Sequence, residues 1–319
     1  MSITVVVARD FSQISEIAAE IVVNKTIDIL KTKNKAVLGL ATGNSPTGLY
    51  KNFARAANEG RFDAGCIRSF NLDEYVGLPG DNVQQRVLHP ESYAYFMIQE
   101  LFGHLDKKFL ETHVPYGSLI DQKILIEELK KYKKDWEFKG ADAGKSIVIK
   151  AKPKSKYLSW IRSEILEGYA RKIKAAGGID LQIIGVGGRG HVAFHESGIP
   201  FKGSKVLLVK LDDNTIANAV ADGHFRTRKD SPQYAISMGA ELVYKARTVI
   251  LLANGARKTE SVMRSLLGDV TPEIPISYGQ QYSKQGGELI YVLDNIAAQG
   301  LLANPEELKN RGIALKNLT

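Results

Sequence analysis

The chain has 319 residues, 44% of them hydrophobic and 24% charged, with a formal net charge of +8. This composition is globular and excludes a disordered polypeptide, and the length suffices for one large core or two modest ones. A single cysteine, Cys66, excludes an intrachain disulfide and any cysteine-based zinc or iron–sulfur site.

The N-terminal apolar run reaches Arg9 and Asp10 too soon for a signal peptide, and no run approaches the roughly 18 apolar residues of a membrane span. A soluble, cytoplasmic protein with no membrane partner is expected. The charge excess is local, since residues 121–175 hold 15 Lys+Arg against 8 Asp+Glu. A solvated basic face accounts for that more simply than a nucleic-acid surface.

In chain order, Ile14, Ile17, Ala18, Ile21 and Val22 recur at helical spacing and predict a helix over 12–31 with Ser12 as its cap. Ala36 to Ala41 is a short apolar run bounded by Thr42-Gly43-Asn44-Ser45-Pro46, a buried strand leading through a turn into a new helix that starts near Pro46. The same grammar predicts strands at Ile67–Leu72, Ile179–Val186, Lys205–Leu211, Thr248–Ala253 and Glu288–Leu293. Helices are expected at Pro90–Phe102 and Lys258–Leu267, with another starting over Pro305–Lys309. Strands alternating with helices imply an α/β fold, a mostly parallel sheet covered on both faces. Residues 117–178 break the rhythm with a lysine-rich helical segment (Leu119–Lys134), a Gly-rich patch at 140–144, a short β-branched run, a Pro-Lys stretch and a second helical segment over about Leu158–Ala176, and they hold both tryptophans, Trp136 and Trp160. They read as a basic insertion packed on a single domain spanning 1–319, because a free linker has no use for two large apolar rings. The chain contains no internal repeat.

Ligands of parallel sheets sit beyond the strands' carboxyl ends, so chemistry is sought in the loops after Ala41, Leu72, Val186 and Ala253. Thr42, Gly43, Asn44 and Ser45 offer hydroxyls and helix-terminal amides suited to a phosphate, although an ordinary tight turn explains the same residues. The loop is not a Walker A motif, because Leu49-Tyr50 stands where Lys-Ser/Thr is required. Asp73 and Glu74 follow a strand directly and supply either a general base or structural, salt-bridged carboxylates.

Gly185-Val-Gly-Gly-Arg-Gly-His-Val-Ala-Phe-His-Glu-Ser-Gly198 admits three readings. Gly185, Gly187 and Gly190 match the dinucleotide fingerprint, but Gly198, Pro200 and Gly203 leave little room for the helix that it must open. His191, His195 and Glu196 could ligate a metal, but no further ligand cluster supports them. The third reading is a proton-transfer site with His191 and Glu196 as partners. On these grounds neither metal nor nicotinamide is expected, and no cofactor is assigned.

Leu38-Gly-Leu-Ala-Thr-Gly-Asn-Ser-Pro-Thr-Gly48, Phe70-Asn-Leu-Asp-Glu-Tyr-Val-Gly-Leu-Pro79, His89-Pro-Glu-Ser-Tyr93, the Gly185 to Glu196 stretch and Gly255-Ala-Arg-Lys258 together resemble the ordered signature of glucosamine-6-phosphate deaminases. The resemblance implies an enzyme, of the hydrolase class, that opens an amino-sugar phosphate ring, moves a proton between C2 and C1, and releases ammonia to give fructose 6-phosphate. It implies Asp73 as the base, His191 serving the ring oxygen, Glu196 supporting His191, and Thr42 to Ser45 with Lys258 holding the phosphate.

Two positions depart from the family pattern. Arg189 replaces an aspartate two residues before the histidine, and His195 replaces an asparagine before the glutamate. A guanidinium beside His191 would favour the neutral ring and weaken the relay. The family's phosphate-binding arginine has no counterpart near Ala219 or Val220, where Arg226 or Arg228 is expected to compensate. The alternatives are therefore a related enzyme on another phosphorylated sugar, a 6-phosphogluconolactonase-like one included, or a non-catalytic sugar-phosphate binder. A homo-oligomer is left open.

Overall fold

Eight strands assemble into one sheet in the computed structural model, which describes residues 2–141 and 144–319. They are β1 (Ser2–Ala8), β2 (Ala36–Leu40), β3 (Ile67–Asn71), β5 (Glu111–His113), β8 (Leu181–Ile184), β11 (Thr248–Ala253), β12 (Glu288–Asp294) and β13 (Ile313–Asn317). Their order is β13-β1-β12-β11-β8-β2-β3-β5, and every pairing is parallel. β2, β8 and β11 are buried along their whole length, as strands covered on both faces must be. The expected α/β architecture is thus the observed one.

A second sheet, antiparallel throughout, was not foreseen. It contains β4 (Asp73–Val76), β6 (Trp136–Lys139), β7 (Lys145–Ile149), β9 (Val206–Lys210) and β10 (Tyr234–Met238), in the order β4-β10-β9-β7-β6. The run Lys205–Leu211, read as a strand of the parallel sheet, belongs here as β9. An apolar run marks burial and does not say which sheet takes it.

The basic segment contributes to both layers. β7 pairs with β9, and the helix Glu167–Ala175 carries Tyr169, whose hydroxyl donates to the carbonyls of Asn71 (2.7 Å) and His113 (3.1 Å) at the ends of β3 and β5. Trp136 and Trp160 pack against the main core, and the Trp136 indole donates to the Leu129 carbonyl. Of the 140–144 patch, Asp142 and Ala143 lie outside the described residues. We propose that 1–319 forms one domain with 117–178 as its inserted layer. The first helix is Phe11–Lys33, and Asp10 rather than Ser12 caps it: the Asp10 carboxylate accepts from the Gln13 amide at 2.9 Å. An acceptor one residue before the helix satisfies a free N–H, whereas a serine already inside the first turn does not.

Strand order fixes the site. From β2 the chain builds outward through β3 to β5, and from β8 it builds the other way through β11 to β12, so β2 and β8 flank the point where the order reverses. The two strands approach closely because position 39 is glycine. A Cβ there would lie 2.1 Å from the buried Gln182 Oε1. We therefore expect Gly39→Ala to destabilise the fold by roughly 1–3 kcal/mol through overpacking, read as a lower thermal midpoint. An unchanged midpoint would show that the β2–β8 contact is not tight.

Candidate active site

The crevice at that reversal holds a cavity of about 500 Å³, within the range of small-molecule sites. Its walls include Thr42, Gly43, Asn44 and Ser45 after β2, Asp73 at the start of β4, Gly187 and His191 after β8, and Asn254 to Lys258 after β11. Residues from four separate motifs thus share one space.

Asp73 is buried, with its carboxylate 3.4 Å from the Thr42 hydroxyl. Burial pushes its pKa up to about 8, the charge of neighbouring Glu74 adds to the rise, and the Thr42 hydrogen bond opposes it. Glu74 is not part of the cavity wall. Its two oxygens accept from the Ser92 hydroxyl and from the amides of Tyr75, Tyr93 and Ala94, at 2.8–3.1 Å. It thereby ties β4 to the N-terminus of the helix Tyr93–Glu100. Glu74 thus takes the structural, helix-capping role of the pair, while Asp73 faces the cavity.

His191 sits on the turn after β8. Its Nδ1 is 3.0 Å from Glu196 Oε2, and the other Glu196 oxygen accepts from the Thr215 hydroxyl at 2.6 Å. Glu196 is buried, so both of its oxygens are committed and it can hold the ring in one orientation. Nε2 is the nitrogen left for a ligand. The imidazole lies directly over Gly187, where a Cβ would come within 2.1 Å of Nε2. Ala193, a few residues on, adopts a positive φ of 52°, a strained geometry for a residue with a side chain.

His195 is fully buried and accepts at Nδ1 from the Ala240 amide while Nε2 donates to the Ile199 carbonyl, both at 3.0 Å. Burial lowers its pKa to about 4. Both nitrogens are engaged, so it is a neutral core residue and cannot join His191 on a metal. Among the described residues, no three His, Cys, Asp or Glu side chains are grouped to hold a metal ion. The Gly185–Gly190 turn opens no helix before β9, so the dinucleotide fingerprint lacks the helix it requires.

Arg189 is half exposed and does not line the cavity, and its Nη1 lies 3.0 Å from the Asp212 carboxylate. Its ion-pair partner is thus Asp212, the cap of the helix Asp213–Ala221. Arg226 and Arg228 are exposed and do not line the cavity, so neither reaches the position expected of it. Lys258 does line it and is half buried. Burial lowers its pKa, as does neighbouring Arg257, while Asp222 acts the other way. Among the described residues, Lys258 has no ion-pair partner within 4 Å.

Several contributors escaped sequence reasoning. Asn254, within 3.0 Å of the Ser45 hydroxyl, was reachable, because it directly follows a strand whose loop had been singled out. Tyr93, which closes the His89–Tyr93 motif but was assigned no role, lines the cavity, as do Asp222 and His224 from elements without a motif, and Thr215 acts on it only through Glu196 and His191.

Over 306 residues, the chain is 32% identical to the glucosamine-6-phosphate deaminase of Clostridioides difficile (strain 630), covering 96% of this chain and 98% of that protein. It is 33% identical over 272 residues to the deaminase of Thermoanaerobacter sp. (strain X514), covering 85% and 86% of the two chains. Among solved structures, a monomeric glucosamine-6-phosphate deaminase superposes with a TM-score of 0.69 at 25% identity, covering 93% of this chain and 99% of that one. A 6-phosphogluconolactonase from Plasmodium vivax, with a TM-score of 0.59 at 14% identity over 95% and 93% of the chains, shares the fold. No family model matches the chain. At this identity and coverage, the chain belongs to the glucosamine-6-phosphate deaminase family.

The raised pKa of Asp73 carries a stability consequence. The folded carboxyl stays neutral to about pH 8, whereas in the unfolded chain it ionises near pH 4, so the empty protein loses stability as pH rises between those values. Asp73→Asn should raise the thermal midpoint by a margin that grows from pH 5 to pH 8 and then levels. A margin independent of pH would show that Asp73 does not titrate in this window.

Proposed function

We propose that this protein is a cytoplasmic enzyme of the hydrolase class that converts glucosamine 6-phosphate, or a closely related amino-sugar phosphate, to fructose 6-phosphate and ammonia. The observation that carries the reading is a buried carboxyl in the same cavity as a His–Glu pair, a hydroxyl-rich loop and a lysine. Family membership supports it.

In this reading Thr42, Gly43, Asn44, Ser45 and Lys258 hold the phosphate through hydroxyls, amides and one ammonium. His191, oriented by Glu196, exchanges a proton with the ring oxygen through Nε2 and opens the ring. Asp73 takes the proton from C2 and returns it at C1, after which water replaces the amine and ammonia leaves. A base that works in its ionised form and has a pKa near the working pH suits a proton that must be both removed and given back.

Arg189 weighed toward an altered substrate or a non-catalytic binder. Its pairing with Asp212, outside the cavity, favours retained activity. The likeness to lactonases is one of fold and adds no argument for their chemistry.

Ammonia release from glucosamine 6-phosphate tests the reading. We expect turnover that is insensitive to chelators and absent with unphosphorylated glucosamine. Asp73→Asn should lower kcat by about 10²-fold or more with sugar-phosphate binding retained, Lys258→Ala should raise KM by about tenfold, and Arg189→Ala should change kcat/KM by no more than about threefold. Binding without any ammonia release would replace the enzyme with a binder, and loss of all activity in Arg189→Ala would return Arg189 to the chemistry.

A further inference from the structure

Two cations, Arg257 and Lys258, stand side by side in the cavity wall on the turn Ala256–Lys258 after β11. Arg257 reaches to Asp222, which ends the helix Asp213–Ala221 and also lines the cavity. Its Nη1 and Nη2 lie 3.3 and 3.4 Å from the same oxygen, Oδ1. The contacts are long, two donors crowd one acceptor, and the Arg257 side chain is 64% exposed. Little fixes the guanidinium there.

Charge balance points to a second arrangement. A phosphate monoester brings close to two negative charges and several acceptor oxygens. Lys258 matches one of those charges, and among the described residues the other lysine or arginine in the wall, Arg257, is engaged by Asp222. An arginine offers a phosphate a planar pair of donors, which a single carboxylate oxygen at 3.3 Å uses poorly. Meanwhile the start of the helix Asp213–Ala221 is held independently, by Arg189 on Asp212 and by Thr215 on Glu196. Release of Asp222 would therefore free the end of the helix that borders the cavity and leave its catalytic end in place.

We propose that Arg257 is the second phosphate-holding cation of this site and that Asp222 is its placeholder, displaced when a phosphorylated ligand enters. The inference rests on reading the cavity as a sugar-phosphate site. It makes the Arg257–Asp222 pair a competitor of the ligand rather than a brace for it, and the two roles predict opposite signs for the same substitution.

The test measures binding of inorganic phosphate and of glucose 6-phosphate, which has no amino group to lose, by calorimetry on the full chain. Arg257→Gln, Asp222→Asn and the double variant are compared with the parent, and matching thermal melts exclude misfolding of these exposed positions. We expect Arg257→Gln to weaken binding by about tenfold, Asp222→Asn to strengthen it several-fold, and the double variant to match Arg257→Gln alone. Weaker binding in Asp222→Asn would make the pair a brace. A gain that persists in the double variant would mean that Asp222 acts on the phosphate directly, and unchanged binding in Arg257→Gln would remove Arg257 from the site; each overturns the proposal. A parent protein that binds neither probe would overturn the sugar-phosphate reading itself.

Discussion

The reversal of strand order between β2 and β8 is the constraint on which the rest of this molecule depends. Connections that leave a parallel sheet in opposite directions cannot cover the gap between their first strands, so a crevice remains at the carboxyl edge. The loops after β2, β8 and β11 converge there because their strands are neighbours, and Asp73 joins them because it lies two residues beyond the end of β3, itself the neighbour of β2. Gly39 against Gln182 shows how tightly the two reversing strands must meet. Residues 42, 73, 191 and 258, scattered through the chain, become one site through this single topological fact.

The crevice would be only a groove without the second, antiparallel sheet. β4 starts at Asp73 itself, and the sheet buries that carboxyl while four donors to Glu74 lock the adjoining backbone. Desolvation is what turns an ordinary aspartate into a group that titrates near neutrality, and it costs stability in the empty protein. His191 is handled differently: it stays accessible and is oriented by a buried carboxylate whose second oxygen is held by Thr215. The Asp73 carboxyl is tuned by burial, and the His191 imidazole is held by geometry.

Much of this was legible in the sequence, for identifiable reasons. β2, β8, β11 and β12 are mostly apolar runs closed by polar or glycine residues, and a strand buried on both faces needs no more specific signal. β4 was hidden because only Leu72 separates it from β3 and it opens with two carboxylates, residues that strands disfavour. β13 was hidden because it is an edge strand with mostly exposed side chains. Asp73, His191, Glu196, Lys258 and the Thr42 loop could be named because each lies in a contiguous motif. What Arg189 and His195 do could not be, since a side chain's partner is set by tertiary packing. Arg189 meets Asp212 across 23 positions, and His195 meets the Ala240 amide across 45.

The central claim is that Asp73 shuttles a proton between C2 and C1 of a bound sugar phosphate. Following deuterium tests it most directly: glucosamine 6-phosphate is turned over in D2O and the fructose 6-phosphate formed is examined by NMR. The account predicts that the hydrogen gained at C1 by the parent's product is the substrate's own C2 hydrogen, or solvent deuterium to the extent that the Asp73 carboxyl exchanges before returning it, and that Asp73→Asn forms product at least about 10²-fold more slowly although the sugar phosphate still binds. Product formed at the parental rate by Asp73→Asn would contradict it, because the proton would then be carried by another group.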